Sequence, residues 1–203
     1  MKPYLVASQV SFHRHSEAVF QPIDLRLLPG TLCVITGANG CGKTTLMRTL
    51  AGILPTSEGA LETTASIAFI GHRPGIKDDL NCMENLSFMQ RFYPTNPDKE
   101  AISPHQALKR VGLGHHIRRL AGHLSAGQRR RLALARLLIC PADVWLLDEP
   151  YTSLDMEACQ WVDELLSEHL TCQGAAIVTT HQRQPILTCS MDRLEVIAGA
   201  RAS

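Results

Sequence analysis

The sequence lacks several features that would place it in particular classes of protein. Its 203 residues carry a formal net charge of only +1, which excludes a broad electrostatic attraction to nucleic acid or to anionic lipid. Its longest apolar stretches, such as residues 132–140, end well short of the roughly 18 residues that a membrane-spanning helix requires. We therefore expect no membrane span and no nucleic-acid partner, and any membrane role would be exerted from the surface.

Paired cysteines and a secretory signal are also missing. The seven cysteines include no C-x-x-C pair, so their pattern predicts neither a disulfide framework nor a zinc site. The apolar patch near the start of the chain is too short for the hydrophobic region of a signal peptide. We interpret the cysteines as reduced thiols in a cytosolic protein.

Residues 37–44, GANGCGKT, match the phosphate-binding loop pattern G-x-x-x-x-G-K-[ST]. Glycines let consecutive backbone N–H groups turn towards an anionic oxygen, and a following helix adds the positive end of its dipole. An apolar run at 32–36 precedes the loop and helical spacing follows it at 45–53, so a nucleotide polyphosphate is the expected ligand. We expect Lys43 to reach the β- and γ-phosphates and the Thr44 hydroxyl to bind Mg²⁺. The predicted nucleotide-binding residues of this segment are Gly37, Ala38, Asn39, Gly40, Cys41, Gly42, Lys43, Thr44 and Thr45.

The hydrophobic periodicity predicts an α/β fold with a mainly parallel sheet. Short β-like runs on either side of the Pro29-Gly30 turn, within residues 4–36, predict an antiparallel β region before the loop. Residues 77–122, which are broken by prolines and glycines, predict a helical lobe inserted into the core. We expect one domain over residues 1–203, with a helical subdomain at approximately 77–140. The other predicted strands lie at 66–71, 143–150, 175–181 and 193–199, and the other predicted helices at 129–139 and 157–170.

Two carboxylates end the apolar segment DVWLLDEP, residues 143–150. In parallel sheets, ligands bind at the carboxyl ends of the strands. Asp148 is there expected to bind Mg²⁺, and Glu149 to polarise a water molecule that attacks the γ-phosphate. A neighbouring acid pair is usually a solvated turn, but the buried strand and the phosphate loop favour the catalytic interpretation.

Residues 124–128, LSAGQ, distinguish this chain from other phosphate-loop proteins such as kinases and GTPases. The segment resembles the LSGGQ signature of the ATP-binding-cassette (ABC) superfamily. The order of the motifs also fits, because LSAGQ is followed by DVWLLDEP, by SLD at 153–155 and by TTH at 179–181. The resemblance covers essentially the whole chain and implies the ABC-type phosphate-loop fold, with ATP and Mg²⁺ as cofactors.

The same resemblance implies a head-to-tail dimer. Ser125 and Gly127 of one copy would face the γ-phosphate that Lys43 of the other copy holds. His181 would be the catalytic switch histidine that keeps the γ-phosphate and Glu149 in register. The further residues implied in nucleotide binding are His72, Gln128 and Asp155, the last in the loop that links the two sites.

The sequence departs from the superfamily pattern in two places. His72 stands at the position where a glutamine, the Q-loop residue, is expected, and imidazole is a less natural ligand of Mg²⁺ than an amide oxygen. The aromatic residue that stacks on adenine has no clean match either. Both Arg14 and Phe12 lie near that position, and either a guanidinium or a ring could stack.

Residues 71–88, GHRPGIKDDLNCMENLSF, narrow the resemblance to the ATP-binding subunits of cytochrome c maturation complexes. This similarity implies a peripheral subunit on the cytoplasmic face of the bacterial inner membrane, paired with a CcmB-like membrane subunit. ATP would there drive haem export or the release of a haem-loaded chaperone. The nine histidines include no C-x-x-C-H signature, so we do not predict haem binding.

Other functions remain open on the sequence alone. The chain could serve another ABC transporter, or act as a soluble ABC ATPase of the translation or DNA-repair type. A non-hydrolytic ATP-binding scaffold is disfavoured, because both Glu149 and His181 are present. Arg129, Arg130 and Arg131 could suggest nucleic acid, but a cluster at the start of a helix is more simply a solvated or phosphate-facing surface.

Overall fold

The computed structural model of the protein describes residues 1–91, 102–180, 183–187 and 191–199. The strands are β1 (Leu5–Ser11), β2 (His13–Arg14), β3 (Glu17–Ala18), β4 (Ile23–Leu27), β5 (Leu32–Thr36), β6 (Glu58–Thr63), β7 (Ile67–Ile70), β8 (Val144–Asp148), β9 (Ala175–Thr179) and β10 (Met191–Glu195). The α-helices are α1 (Lys43–Leu50), α2 (Cys82–Gln90), α3 (Pro104–Arg110), α4 (Ala126–Ile139) and α5 (Met156–Thr171).

A five-stranded sheet in the order β10-β5-β9-β8-β7 carries the predicted site. All four strand pairings are parallel, which confirms the prediction of a mainly parallel sheet. Every residue of β8 and β9 is buried, because helices or strands cover both faces, and this explains why both strands are continuous apolar runs. The carboxyl ends of β5, β9 and β8 therefore lie side by side.

A second sheet is antiparallel, in the order β4-β1-β6. The expected antiparallel region is correct for β1 and β4 but not for β5, because the Pro29-Gly30 turn leads from one sheet into the other. The turn is attached to the parallel sheet, since the Gly30 N–H donates to the Gly174 carbonyl oxygen at 2.8 Å. Strand β6 was not predicted. Its residues are mostly exposed and its two apolar side chains, Ala60 and Leu61, are adjacent, so no apolar alternation marks it in the sequence.

Helix α1 fills the space between the two sheets and so anchors the phosphate loop. Leu46, Met47 and Leu50 on this helix are almost completely buried. They pack in one cluster with Cys33 and Ile35 of β5 and with residues of β1, β4 and β8. The alternate residues of the central strands face the other side of the sheet, where α4 and α5 cover them.

Helices α2, α3 and α4 form the predicted helical lobe around a separate apolar cluster. Helix α4 belongs to two clusters: Leu132 and Ala135 face α2 and α3, whereas Leu134 and Leu137 face the parallel sheet. It therefore joins the lobe to the sheet. Within the described ranges, no helix has the length and hydropathy needed to cross a membrane.

Candidate active site

The loop between β5 and α1 has a backbone that requires glycine. Gly37 has a φ of 143°, and a Cβ added there would lie 2.5 Å from the Val196 carbonyl oxygen. Gly42 has a φ of 106° and forms the N-cap of α1. A residue with a side chain would be strained at both positions. The loop thus brings consecutive backbone N–H groups to the start of α1, which is the arrangement that binds phosphate.

Lys43 lies inside this loop. Its Nζ donates hydrogen bonds of 2.8 Å to the carbonyl oxygens of Gly37 and Ala38, and it lies 3.8 Å from Cys41 Sγ. The residue is only 6% exposed. The ammonium group is consequently held across the loop, where an anionic phosphate would meet it.

Thr44, Asp148 and Thr179 form a connected group of oxygen atoms at the carboxyl edge of the sheet. Thr44 Oγ1 donates to Asp148 Oδ2 at 2.8 Å, and Thr179 Oγ1 donates to Asp148 Oδ1 at 2.7 Å. A hydroxyl and a carboxylate oxygen this close together fit the preference of Mg²⁺ for oxygen ligands. Thr179 was not among the predicted site residues, although the TTH motif contains it.

Glu149 adopts a left-handed backbone conformation, with a φ of 52°. Such a conformation costs a non-glycine residue about 1–2 kcal/mol. Hydrogen bonds on both sides hold it: the Glu149 N–H donates to Thr179 Oγ1 at 2.9 Å, and the Glu149 carbonyl oxygen accepts from Arg130 at 2.6 Å. The position of the predicted general base is thus fixed through its backbone.

Thr152 and His72 contact the Glu149 carboxylate near the surface. Thr152 Oγ1 donates to its Oε2 at 3.3 Å, and His72 Nδ1 lies 3.4 Å from the same oxygen. The His72 side chain is 59% exposed and that of Glu149 is 24% exposed. His72, which was expected at the metal-binding position of the Q-loop, therefore contacts the predicted general base.

Arg130 is buried, so its interpretation as a solvated or phosphate-facing residue is wrong. It is 4% exposed and donates to the carbonyl oxygens of Gly71, Asp148, Glu149 and Pro150. Burial lowers the pKa of Arg130 to about 10, although the nearby carboxylates of Asp148 and Glu149 oppose this change. The sequence did not indicate these hydrogen bonds, because the acceptors are backbone carbonyl oxygens of residues that are distant in the sequence.

The two neighbouring arginines make ion pairs instead. Arg129 pairs with Asp78, and Arg131 donates to both carboxylate oxygens of Asp155 at 2.9 Å. Asp155 is also the N-cap of α5, where it accepts from the Ala158 N–H at 2.8 Å. These bonds lower the pKa of Asp155, the Ala158 N–H being the main cause. The ion pair joins the predicted linking loop to the first turns of α4.

The signature residues form the N-terminus of α4. Ser125 Oγ accepts from the Gln128 N–H at 3.2 Å, and the Gln128 side chain accepts from the Ser125 N–H at 3.0 Å. This reciprocal capping box explains the serine and the glutamine three residues apart. A Cβ on Gly127 would lie 2.7 Å from the Ser153 carbonyl oxygen, so the SLD segment packs closely against the helix.

Asn39 of the phosphate loop and the signature residues line two neighbouring cavities, which share Ser153 and Leu154. Asn39 and Glu149 line a cavity of about 510 Å³. Ser125, Gly127, Gln128 and Asp155 line another of about 390 Å³. Each cavity is open to solvent and holds part of the predicted set of site residues. His181 lies outside the described residues.

The two candidates for stacking on adenine differ in their surroundings. Phe12 is half-buried and packs against the apolar cluster beneath the antiparallel sheet. Arg14 lies on β2 and is exposed. Of these two residues, Arg14 thus has the side chain that a ligand could reach.

The sequence matches known families over most of its length. Residues 20–152 match the family described as ABC transporter. The chain is 41% identical, over 97% of its length and 96% of the relative's, to the "Cytochrome c biogenesis ATP-binding export protein CcmA" of Xanthomonas axonopodis pv. citri. It is 42% identical, over 89% of its length and 90% of the relative's, to "Cytochrome c biogenesis ATP-binding export protein CcmA 2" of Cupriavidus metallidurans.

Solved structures agree with this match. A chain of a metal-chelate type ABC transporter in an inward-facing conformation has a TM-score of 0.79 and 26% identity, covering 97% of this chain and 80% of that one. The ADP conformation of MJ1267, an ATP-binding cassette of an ABC transporter, shares the fold with a TM-score of 0.76 and 18% identity, covering 100% and 92%. The chain therefore belongs to the ABC transporter family, as an ATP-binding subunit of the CcmA type.

Proposed function

We propose that this subunit hydrolyses ATP with Mg²⁺ and that Glu149 is the general base. The observation that carries the proposal is the hydrogen-bonded group of Thr44, Asp148 and Thr179, which extends to the Glu149 backbone. In this group the Thr44 hydroxyl and the Asp148 carboxylate, which would bind the metal ion, are hydrogen bonded to each other, and Thr179 links Asp148 to the backbone of the proposed general base. A buried network of this kind holds its members in one geometry, which hydrolysis requires.

The reaction follows from these positions. Lys43 and the loop N–H groups would hold the β- and γ-phosphates, and Thr44 with Asp148 would hold the metal ion. When bound, Mg²⁺ would neutralise charge that develops on the phosphate oxygens. The oxygen of a water molecule attacks the γ-phosphorus while the bond to the β–γ bridging oxygen breaks. Glu149 accepts the proton of that water, and ADP and phosphate leave.

We propose further that the site is completed by a second copy in a head-to-tail dimer. Asn39 and Ser125 line different, neighbouring cavities, and this supports the proposal, because neither of these two cavities is lined by residues of both motifs. Ser125 is exposed at the start of a 14-residue helix, where the dipole favours an anion. In the dimer, Ser125 and Gly127 would meet the γ-phosphate that the partner's loop holds, and His181 would contact the same phosphate.

The cellular role that we propose comes from the relatives. Their names describe ATP-binding export proteins of cytochrome c biogenesis. By this similarity, residues 1–203 form one nucleotide-binding domain, with its helical subdomain at approximately 77–140. The domain would bind a CcmB-like membrane-spanning subunit and other maturation components on the cytoplasmic face of the bacterial inner membrane. Dimer closure on ATP would drive haem export or release of the haem-loaded chaperone.

Replacement of the general base tests the proposal. Glu149→Gln keeps the size of the side chain but removes the proton acceptor, so ATP turnover should fall by roughly 10²- to 10⁴-fold. ATP binding and ATP-driven dimerisation should persist in this variant, whereas Lys43→Ala should lose nucleotide binding. Near-normal hydrolysis by Glu149→Gln would refute the role of Glu149. Co-purification with a polytopic membrane subunit tests the cellular role separately.

A further inference from the structure

Arg130 connects three segments of the site through one guanidinium group. Its Nε donates to the Pro150 carbonyl oxygen at 3.2 Å, and one terminal nitrogen donates to the Gly71 carbonyl oxygen at 2.9 Å. The other terminal nitrogen donates to the carbonyl oxygens of Asp148 and Glu149, each at 2.6 Å. Arg130 itself lies in the second turn of α4. One side chain thus joins the signature helix, the end of β8 and the segment before His72.

The hydrogen bonds of Arg130 depend on the shape of the guanidinium group as well as on its charge. The guanidinium group is planar and carries five N–H donors in a fixed fork, so it can serve several acceptors that lie in different directions. A lysine ammonium at the same place is a single nitrogen on a flexible stem. It could keep the charge near Asp148 and Glu149, but one nitrogen could not replace the three separate nitrogens that donate to Gly71, to Pro150 and to the Asp148–Glu149 pair.

Burying the Arg130 guanidinium costs free energy unless its charge is compensated and its N–H groups are hydrogen bonded. Arg130 is 4% exposed, and Arg136 is a second positive charge close enough to disfavour it. The carboxylates of Asp148 and Glu149 compensate, and carbonyl oxygens accept four hydrogen bonds from the three guanidinium nitrogens. A buried charge is tolerated only with such partners. The group is therefore held in one orientation.

The hydrogen bonds of Arg130 constrain the backbone of Glu149. Its left-handed backbone is held at the N–H by Thr179 and at the carbonyl oxygen by Arg130. Arg130 also fixes the Gly71 carbonyl, and the next residue, His72, lies 3.4 Å from Glu149 Oε2. Both the backbone of Glu149 and one neighbour of its carboxylate are thus set by the same guanidinium.

We propose that Arg130 is a positioning residue for ATP hydrolysis, which clamps the Gly71–His72 and Asp148–Pro150 segments to α4 and so holds the Glu149 carboxylate in its working geometry. This inference rests on the proposed role of Glu149 as the general base. Arg130 contacts no reacting atom in this scheme. It acts on the rate through the place and the backbone conformation of Glu149.

The test is steady-state ATP hydrolysis by the full chain in the complex with which it co-purifies. Arg130→Lys and Arg130→Gln should lower kcat by about 10- to 100-fold, because a displacement of about 1 Å at a catalytic group costs a factor of this order. The KM for ATP should change by less than about 3-fold, since the phosphate loop is untouched. Arg110→Lys is the matched control, because Arg110 makes a surface ion pair with Glu168. It should change kcat by less than about 2-fold.

A second comparison separates positioning from a general loss of structure. In the Glu149→Gln background, adding Arg130→Lys should change the residual turnover by less than about 2-fold, because the group that Arg130 positions is already gone. A further 10-fold loss in that background would overturn the inference. So would a normal kcat in both Arg130→Lys and Arg130→Gln while Glu149→Gln is impaired. Normal hydrolysis by Glu149→Gln alone would instead identify a failure of the proposed function.

Discussion

Thr179 and Asp148 are direct register partners on the adjacent parallel strands β9 and β8, and their side chains are hydrogen bonded at 2.7 Å. Thr179 is 0% exposed and Asp148 is 1% exposed. The same threonine hydroxyl accepts from the Glu149 N–H at 2.9 Å. Because the pairing of the strands aligns these two residues, the sheet register itself orients the predicted metal-binding carboxylate and the residue that follows it.

Removing the Thr179 hydroxyl should therefore impair both stability and turnover. Thr179→Val keeps the shape but leaves the buried Glu149 N–H without its acceptor, which should destabilise the fold by about 1–3 kcal/mol. ATP hydrolysis should fall as the Asp148 carboxylate loses its second donor. Chemical denaturation and steady-state ATPase assays measure the two effects. Thr179→Ser retains the hydroxyl and should preserve most of the activity; equal losses in Ser and Val variants would contradict a role for the hydrogen bonds.

His72 should tolerate substitution better than its position near Glu149 suggests. Its side chain is 59% exposed, and contacts between charged groups at the surface contribute only about 0–1 kcal/mol. We expect His72→Gln to remain active, because Thr44 and Asp148 still bind the metal ion and an amide can still meet Glu149. His72→Ala should lower kcat by less than about 5-fold. Loss of Mg²⁺-dependent hydrolysis in His72→Gln would show that the imidazole has a specific role.

The sequence predicted the residues that a local pattern specifies. Lys43 and Thr44 follow from the loop pattern, and Asp148 follows from an apolar strand that ends in an acid. The parallel sheet follows from the alternation of strands and helices, because that pattern leaves few other arrangements. These features depend on residues close together in the chain. The structure adds the packing of α1 against the sheet, which brings Thr44 within 2.8 Å of Asp148, a residue 104 positions away.

Features that depend on distant backbone atoms were not predictable. Arg130 donates hydrogen bonds to backbone carbonyl oxygens, among them those of Gly71 and Pro150. A pattern of side chains in the sequence does not indicate which carbonyl oxygens will act as acceptors. The charge of Arg130 instead suggested a solvated face. Strand β6 was missed for a related reason: it is stabilised by backbone pairing with β1, whereas most of its side chains are exposed. In both cases, hydrogen bonds between residues distant in the sequence determine the structure.

Asp163 on α5 should contribute strongly to stability. Tyr151, three residues after Asp148, donates to Asp163 Oδ1 at 2.6 Å, and Arg183 donates to Oδ2 at 2.8 Å. Burial, together with the hydrogen bond to this carboxylate, raises the pKa of Tyr151 above its ordinary range. Asp163→Ala leaves the tyrosine hydroxyl and Arg183 without this acceptor, so it should lower the free energy of unfolding by about 2–4 kcal/mol.

Chemical denaturation checks this prediction, and α5 supplies its own control. Glu168 pairs with Arg110, but both side chains are substantially exposed, so Glu168→Ala should cost about 0–1 kcal/mol. Equal losses in the two variants would show that Asp163 acts as an ordinary surface carboxylate. Since Arg183 follows the TTH segment closely, the ATPase activity of Asp163→Ala reports whether this anchor also matters for turnover.

Two buried thiols should make the fold sensitive to alkaline pH. Cys33 and Cys140 are each 1% exposed. Burial raises the pKa of both thiols from an ordinary value of 9.0 to about 12; Asp192 adds to the effect at Cys33, and Arg136 opposes it at Cys140. Below pH 9 the thiols are protonated in both the folded and the unfolded chain, so their ionisation does not lower the free energy of unfolding.

Between pH 9 and pH 12 the unfolded chain loses these protons while the folded chain retains them, so stability falls as the pH rises. One pH unit above the unfolded pKa, each thiol should lower the free energy of unfolding by about 1.4 kcal/mol. Denaturation at pH 8 and pH 10 should show a loss in the wild type that exceeds the loss in a Cys33→Ala/Cys140→Ala variant by about 2–3 kcal/mol. Cys172→Ala removes an exposed thiol and should leave the pH dependence as in the wild type. If the double variant loses as much stability as the wild type, these two thiols do not set the alkaline limit.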